Sequence, residues 1–117
     1  MSEPVDLRAA LARIDEAFQP RIVGYYNDSK VMVAKVRGEF VWHAHPDTDD
    51  LFLVLDGRLT IDLPDGSVEL GPGELFVVPR GVEHRPRAEE AQILLIEPRG
   101  TPNTGDSGLE PAPEREL

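Results

Sequence analysis

Near its middle the chain reads Trp42-His43-Ala44-His45-Pro46-Asp47-Thr48-Asp49-Asp50, and further on Gly73-Glu74-Leu75-Phe76-Val77-Val78-Pro79-Arg80-Gly81-Val82-Glu83-His84. Together these stretches hold all three histidines of the 117 residues. Side chains alternate along a strand, so a strand ending at His45 puts His43 and His45 on one face, with Val41 and Glu39. Trp42 and Ala44 then share the other face. Two imidazoles one dipeptide step apart can reach one metal ion, although a His-x-His pair alone is more often incidental than ligating. Asp50 follows His45 by five positions, at the start of the next apolar run.

Outward from these stretches the chain is a series of short apolar runs. They are Ile22–Tyr26, Val31–Val36, Phe40–His43, Leu51–Leu55, Arg58–Leu63, Ser67–Leu70, Leu75–Val78 and Gln92–Glu97. Turn chemistry separates them: Asn27-Asp28, Asp56-Gly57, Pro64-Asp65-Gly66, Gly71-Pro72-Gly73 and Pro79-Arg80-Gly81. Glycine supplies positive φ and proline pre-sets a turn. Many short strands at close spacing predict an all-β sandwich or barrel, and no strand–helix alternation or internal repeat is visible.

Before the strands, Leu7, Leu11, Ile14 and Phe18 recur at helical spacing. They predict one amphipathic helix, approximately Asp6 to Ala17, stopped before Pro20 and laid on the body as a packing element. From about Gly100 to Leu117 the chain is rich in proline and glycine and poor in apolar residues. Composition predicts a mobile tail there. The expected organisation is a helical segment over 1–20, one β domain over 21–99 and a tail over 100–117.

In these two motifs the chain resembles the cupin superfamily. Gly38, His43, His45 and Gly57 match the first cupin motif, with Asp50 at its glutamate position; Gly73, Pro79, Gly81 and His84 match the second. Phe40–Gly57 and Glu97–Asp106 look like small single-domain bacterial cupins often labelled mannose-6-phosphate isomerase-like. The resemblance implies a jelly-roll β-sandwich barrel with a metal held inside by His43, His45, Asp50 and His84. Imidazole and carboxylate donors suit divalent Mn, Fe, Co, Ni, Cu or Zn. It further implies a small-molecule ligand or substrate in the barrel, with oxygenase, isomerase and lyase chemistry all known on the scaffold. A non-catalytic binder whose histidines line a polar cavity is the alternative, and a metal-free acid–base isomerase a weaker third.

Three departures stand out. The Gly38–His43 spacer is one residue short, and Ala88 stands where an asparagine is frequent. Asp50 is shorter than glutamate by one methylene, roughly 1.5 Å of reach. Asp50 therefore ligates after a small backbone shift, ligates through water, or stays out of the coordination sphere. Asp49 would point to the opposite face.

Other residues extend the reading. Leu51–Leu55 and Gln92–Glu97 are apolar on both faces and need a cover outside the barrel. The helix can cover one area and a second copy another, so a homodimer is expected, with Trp42 either at the interface or under the helix. Arg80, Arg85 and Arg87 surround His84, either as an anion-attracting rim or as loop charges pairing with Glu83, Glu89 and Glu90. Tyr25, Tyr26 and Glu39 are possible polar pocket residues.

Composition sets outer bounds. Twelve basic against 22 acidic side chains give a net charge of −10. That balance opposes binding to duplex nucleic acid or to anionic membranes. With no cysteine, disulfides, thiol nucleophiles and Cys-ligated metals are excluded. Met1–Ala10 has no signal-peptide pattern, and no apolar run is long enough to span a bilayer, so a cytoplasmic location is the expectation.

Overall fold

The computed structural model describes residues 3–117, leaving Met1 and Ser2 of the expected N-terminal segment outside the described residues. One helix, α1 (Leu7–Ala12), precedes seven strands: β1 (Arg21–Tyr26), β2 (Ser29–Glu39), β3 (Asp50–Gly57), β4 (Leu59–Leu63), β5 (Gly66–Leu70), β6 (Leu75–Val78) and β7 (Arg85–Pro98). The fold is the expected antiparallel cupin β-sandwich with a short N-terminal helix. Strand order is β1-β2-β7-β3-β6, and β4 joins through β7 and β5.

β7 organises the whole. Its first residues pair with β4, as Arg85↔Asp62, Pro86↔Ile61 and Arg87↔Thr60. Further along it lies between β2 and β3, with Ile93 opposite Ala34 and Val54, and Leu95 opposite Met32 and Phe52. Strand alternation turns these residues to one interior, where Ile22, Val36, Leu59, Ile61, Leu70 and Val78 join them. Each large side chain fully buried there contributes about 1.5–3 kcal/mol. Gly57 permits the tight β3–β4 junction: its φ is +81°, and a Cβ would collide with the Glu90 carbonyl and lie 2.9 Å from Ala91 Cα.

A smaller apolar layer covers the outer face at one end. Ala10, Leu11 and Ile14 pack on Val23 and Val33, with Leu7, Val31, Leu55 and Leu117 around them. Asp6 caps α1, its carboxylate accepting from Arg8 N (3.0 Å) and Ala9 N (3.2 Å). The helix is shorter than its periodicity predicts. After Ala12 the chain makes a last turn from Ile14 N to Leu11 O, then Ala17 bridges to Lys35 and Phe18 N donates to Lys35 O. Phe18 leaves the helical stripe for the barrel.

Two strand expectations are corrected. Phe40–His43 is no continuous strand. Phe40 N donates to Pro86 O, but Pro86 has no N–H to return, so the ladder breaks and resumes as one reciprocal bridge between His43 and His84. The last strand begins at Arg85, seven residues earlier than Gln92, because the polar stretch Arg85–Ala91 finds partners on β4, β2 and β3.

The segment after Gly100 differs from the free tail expected from its composition. It folds back across the barrel: Ile22 N donates to Arg115 O and Leu117 N to Ile22 O. Asp106 exchanges two bonds with Ala44, backbone N to Ala44 O (3.0 Å) and carboxylate from Ala44 N (2.8 Å). Gly105 lies so close to the histidine loop that a Cβ would collide with the Ala44 carbonyl and sit 2.9 Å from His43 Cδ2. Polar backbone bonds hold this segment more than apolar burial does, which is why hydropathy misses it. Among the described residues no helix is long and apolar enough to cross a membrane.

Candidate metal centre

The loop from Phe40 to Asp49 and the loop before β7 meet over one end of the barrel. His43 and His84 exchange both backbone bonds (3.0 and 2.9 Å), and Gly81 N donates to His45 O at 2.9 Å. Asp49 turns away to accept from Arg80 N at 2.9 Å, as alternation required. Asp50 opens β3 with its side chain inward, on the same face as Phe52 and Val54. Through these links the structure brings His43, His45, Asp50 and His84 together, all buried, each offering a ligand-type atom within 4.8 Å of the others.

Hydrogen bonds orient two of the rings. His43 Nδ1 lies 2.9 Å from Val41 O and His84 Nδ1 2.9 Å from Val82 O. A carbonyl only accepts, so each Nδ1 carries a proton and each Nε2 is the ring nitrogen turned to the cluster. His84 Nε2 is 3.4 Å from Asp50 Oδ2, and His45 Nε2 is 3.2 Å from the same oxygen. His45 Nε2 nevertheless lacks a hydrogen-bonding angle there, and with Asp50 Oδ1 it is buried without a partner. Orphaned polar atoms of this kind each cost about 1–3 kcal/mol. A cation among these acceptors would satisfy them all, so the donor set fits a metal ion.

The electrostatics agree. Burial pulls the His43 imidazole down to about 4, with the other two imidazoles adding to the effect, so the ring is neutral and free to donate electrons. Burial pushes Asp50 upward, but the facing His45 and His84 more than offset it and hold the carboxyl well below the usual range.

Sequence reasoning passed over a second polar group. Glu97 is buried on the inner face beyond Ile93 and Leu95, directly opposite Lys30, whose Nζ is 3.8 Å from it. Burial, then the neighbouring Asp50 charge, pushes Glu97 well above the usual carboxylate range. Lys30 Nζ also bonds Thr101 O (2.9 Å) and Glu114 (3.1 Å), tying the cluster's surroundings to the C-terminal segment. Extending the alternation of Ile93 and Leu95 by two residues would have found Glu97; its pairing with Lys30 needed the strand register.

Other sequence candidates fall elsewhere. Arg85 and Arg87 both bind Asp62, at 2.9 Å each, and Arg85 approaches Glu39 at 3.6 Å. The expected partners Glu83, Glu89 and Glu90 are not theirs, and Glu90 pairs with Arg37 instead. Trp42 is not under the helix: it is 43% exposed, with the Arg85 guanidinium 5.4 Å above its ring. Tyr25 bonds Glu116 at the surface, and neither tyrosine nor Glu39 lines the cavity beside the cluster. That cavity, of about 50 Å³, has mostly apolar walls and reaches His43, Asp50, Glu97 and Asn103.

A β-sandwich closed around an inward His-x-His, an aspartate and a third histidine is the arrangement of a cupin, and the comparisons with known proteins agree. The Cupin_2 family, described as a cupin domain, matches residues 30–97. This chain belongs to the cupin family. It is 36% identical over 96 residues to the uncharacterized protein YdbB of Bacillus subtilis (strain 168), covering 81% of this chain and 85% of YdbB. A cupin-2 domain protein from Shewanella frigidimarina NCIMB 400 superposes with a TM-score of 0.80 at 42% identity, over 81% of this chain and 94% of that one. NMB1881 from Neisseria meningitidis follows at TM-score 0.75 and 35% identity, over 82% and 99%.

Proposed function

We propose that His43, His45, Asp50 and His84 ligate one divalent transition metal ion, of the Mn, Fe, Co, Ni, Cu or Zn series, and that the chain binds or transforms a small metabolite beside it. One observation carries the reading: four buried acceptor groups converge, and two of their atoms, His45 Nε2 and Asp50 Oδ1, have no other partner. When bound, such an ion supplies Lewis-acid polarisation of a ligand oxygen. The chain's own residues do the rest. Val41 and Val82 carbonyls orient the His43 and His84 rings, and the rings facing Asp50 hold its carboxyl low. The neighbouring cavity has mostly apolar walls, and Glu97, its carboxyl pushed above the usual range by burial, stands beside Asp50.

The reading extends to a homodimer through the outer face of β7, β3 and β6. Leu51 stands in register with Ile96 and Val77, and Leu53 with Leu94 and Leu75. Leu75 is 54% exposed and Val77 39%, beyond the area α1 covers. Such an uncharged face is self-complementary about a twofold axis.

Metal analysis of protein purified without a histidine tag tests the site. Near-stoichiometric metal is expected, falling at least tenfold in His43→Ala and His84→Ala. No metal under any loading condition, with stability unchanged in His43→Ala, would overturn the proposal.

A further inference from the structure

Ala44 stands between two of the four converging residues, and its backbone is held by the C-terminal segment. Its N–H donates to Asp106 Oδ1 at 2.8 Å, and its carbonyl accepts from Asp106 N at 3.0 Å. The flanking histidines are tied elsewhere: His43 exchanges both backbone bonds with His84, and His45 O accepts from Gly81 N. Ala44 is buried, so its two backbone groups depend on this one partner.

A compact pair of turns presents Asp106 to the loop. Gly105 N donates to Pro102 O at 3.0 Å and Ser107 N to Thr104 O at 3.1 Å. Thr104 is buried, and its hydroxyl donates to Leu109 O, pinning the turns from within. Gly105, at a φ of +53°, has no Cβ to collide with Ala44 O, so the turn also closes on the His43 ring. That ring therefore has Gly105 against Cδ2, Phe40 edge to face at 5.4 Å and Val41 O on its Nδ1 at 2.9 Å. The other end of the segment is anchored away from the cluster, where Leu117 N donates to Ile22 O and its side chain packs in the α1 layer.

Ligand side chains serve a metal only if the backbone that carries them is held to within about 0.5 Å. On the metal reading of the cluster, we propose that Asp106 is a positioning residue of the centre. By gripping both backbone groups of Ala44 it fixes the spacing and direction of the His43 and His45 rings. Docking of the C-terminal segment and metal binding are then coupled, and such coupling is reciprocal. The segment is tighter in the loaded protein, and the metal is held more weakly once Asp106 lets go.

The test compares full-length Asp106→Ala, Asp106→Asn and Leu117→Ala with the unmodified protein. Co²⁺ affinity is read by competition with a chelator, coordination by the visible spectrum, and stability of metal-free protein by urea. Asp106→Ala should weaken Co²⁺ roughly 10–100-fold and alter its spectrum. Asp106→Asn keeps an amide oxygen for Ala44 N and should restore both. Leu117→Ala loosens only the far end of the segment, so the urea midpoint should fall with affinity and spectrum unchanged. In the unmodified protein Co²⁺ should slow trypsin cleavage after Arg99, at the root of the segment, more than cleavage after Arg8. Affinity and spectrum unchanged in Asp106→Ala, or weakened equally in Leu117→Ala, overturn the proposal. Where Asp106→Ala does not fold, the Arg99 cleavage decides: selective slowing supports the coupling, and none overturns it. If the unmodified protein retains no Co²⁺, the metal reading fails and the coupling with it. Amide exchange at His43 and Gly81 in metal-free protein then decides whether Asp106 holds the loop: about tenfold faster exchange in Asp106→Ala supports it, and unchanged exchange overturns it.

Discussion

His43 shows how one residue couples stability to chemistry. Its imidazole has an ordinary value of 6.5 but titrates at about 4 in the fold, chiefly because it is buried. As pH falls below 6.5 the unfolded chain takes up this proton before the folded one, so stability drops until the folded value is reached. The loss totals about 3 kcal/mol between pH 6.5 and pH 4. Asp50, held low in the fold, adds its own loss only below the ordinary carboxylate range. Glu97, raised in the fold, acts in the opposite sense over the same interval, so urea unfolding of chelator-treated Glu97→Gln protein at pH 7 and pH 4.5 should show this decline. A curve flat across that interval contradicts the burial argument. The ligand-type residues were legible because all three histidines fall on cupin motif positions. Phe18 was legible as apolar, but its left-handed turn into the cavity was not, since it depends on Lys35 O and the Phe40 ring.

Among the elements, α1 illustrates how little local structure a useful element needs. Six helical residues are too few to be stable alone, so the helix survives on Asp6 and on burial of Leu11 and Ile14. Asp6→Ala should lower stability by about 1 kcal/mol, read as a shift in the urea midpoint with metal content unchanged. A shift within error would mean that packing on Val23 and Val33 suffices. The helix's existence and apolar face were written in its periodicity. Its end was not, because Ala17 is drawn into a bridge with Lys35. The same holds for Arg85–Ala91: nothing in a charged stretch announces a strand until Asp62 on β4 meets Arg85 and Arg87.

At the scale of the molecule, the exposed pair Leu75 and Val77 at the sheet edge is the feature that a second copy would bury. Light scattering at micromolar concentration should give twice the chain mass, and Leu75→Glu with Val77→Lys should give a monomer. A monodisperse monomer for the unmodified protein ends the dimer reading. The sequence by itself determined the all-β class, the covering helix and the four converging residues. The first two rest on local chemistry, alternation and turn residues, and the four residues on the resemblance to the cupin motifs. Tertiary structure decided the rest, namely the Lys30–Glu97 pair, the Phe18–Phe40 stack, the arginine partners and the folded-back C-terminal segment. Those depend on which strands lie side by side and on backbone bonds such as Asp106 to Ala44, which no composition or periodicity encodes.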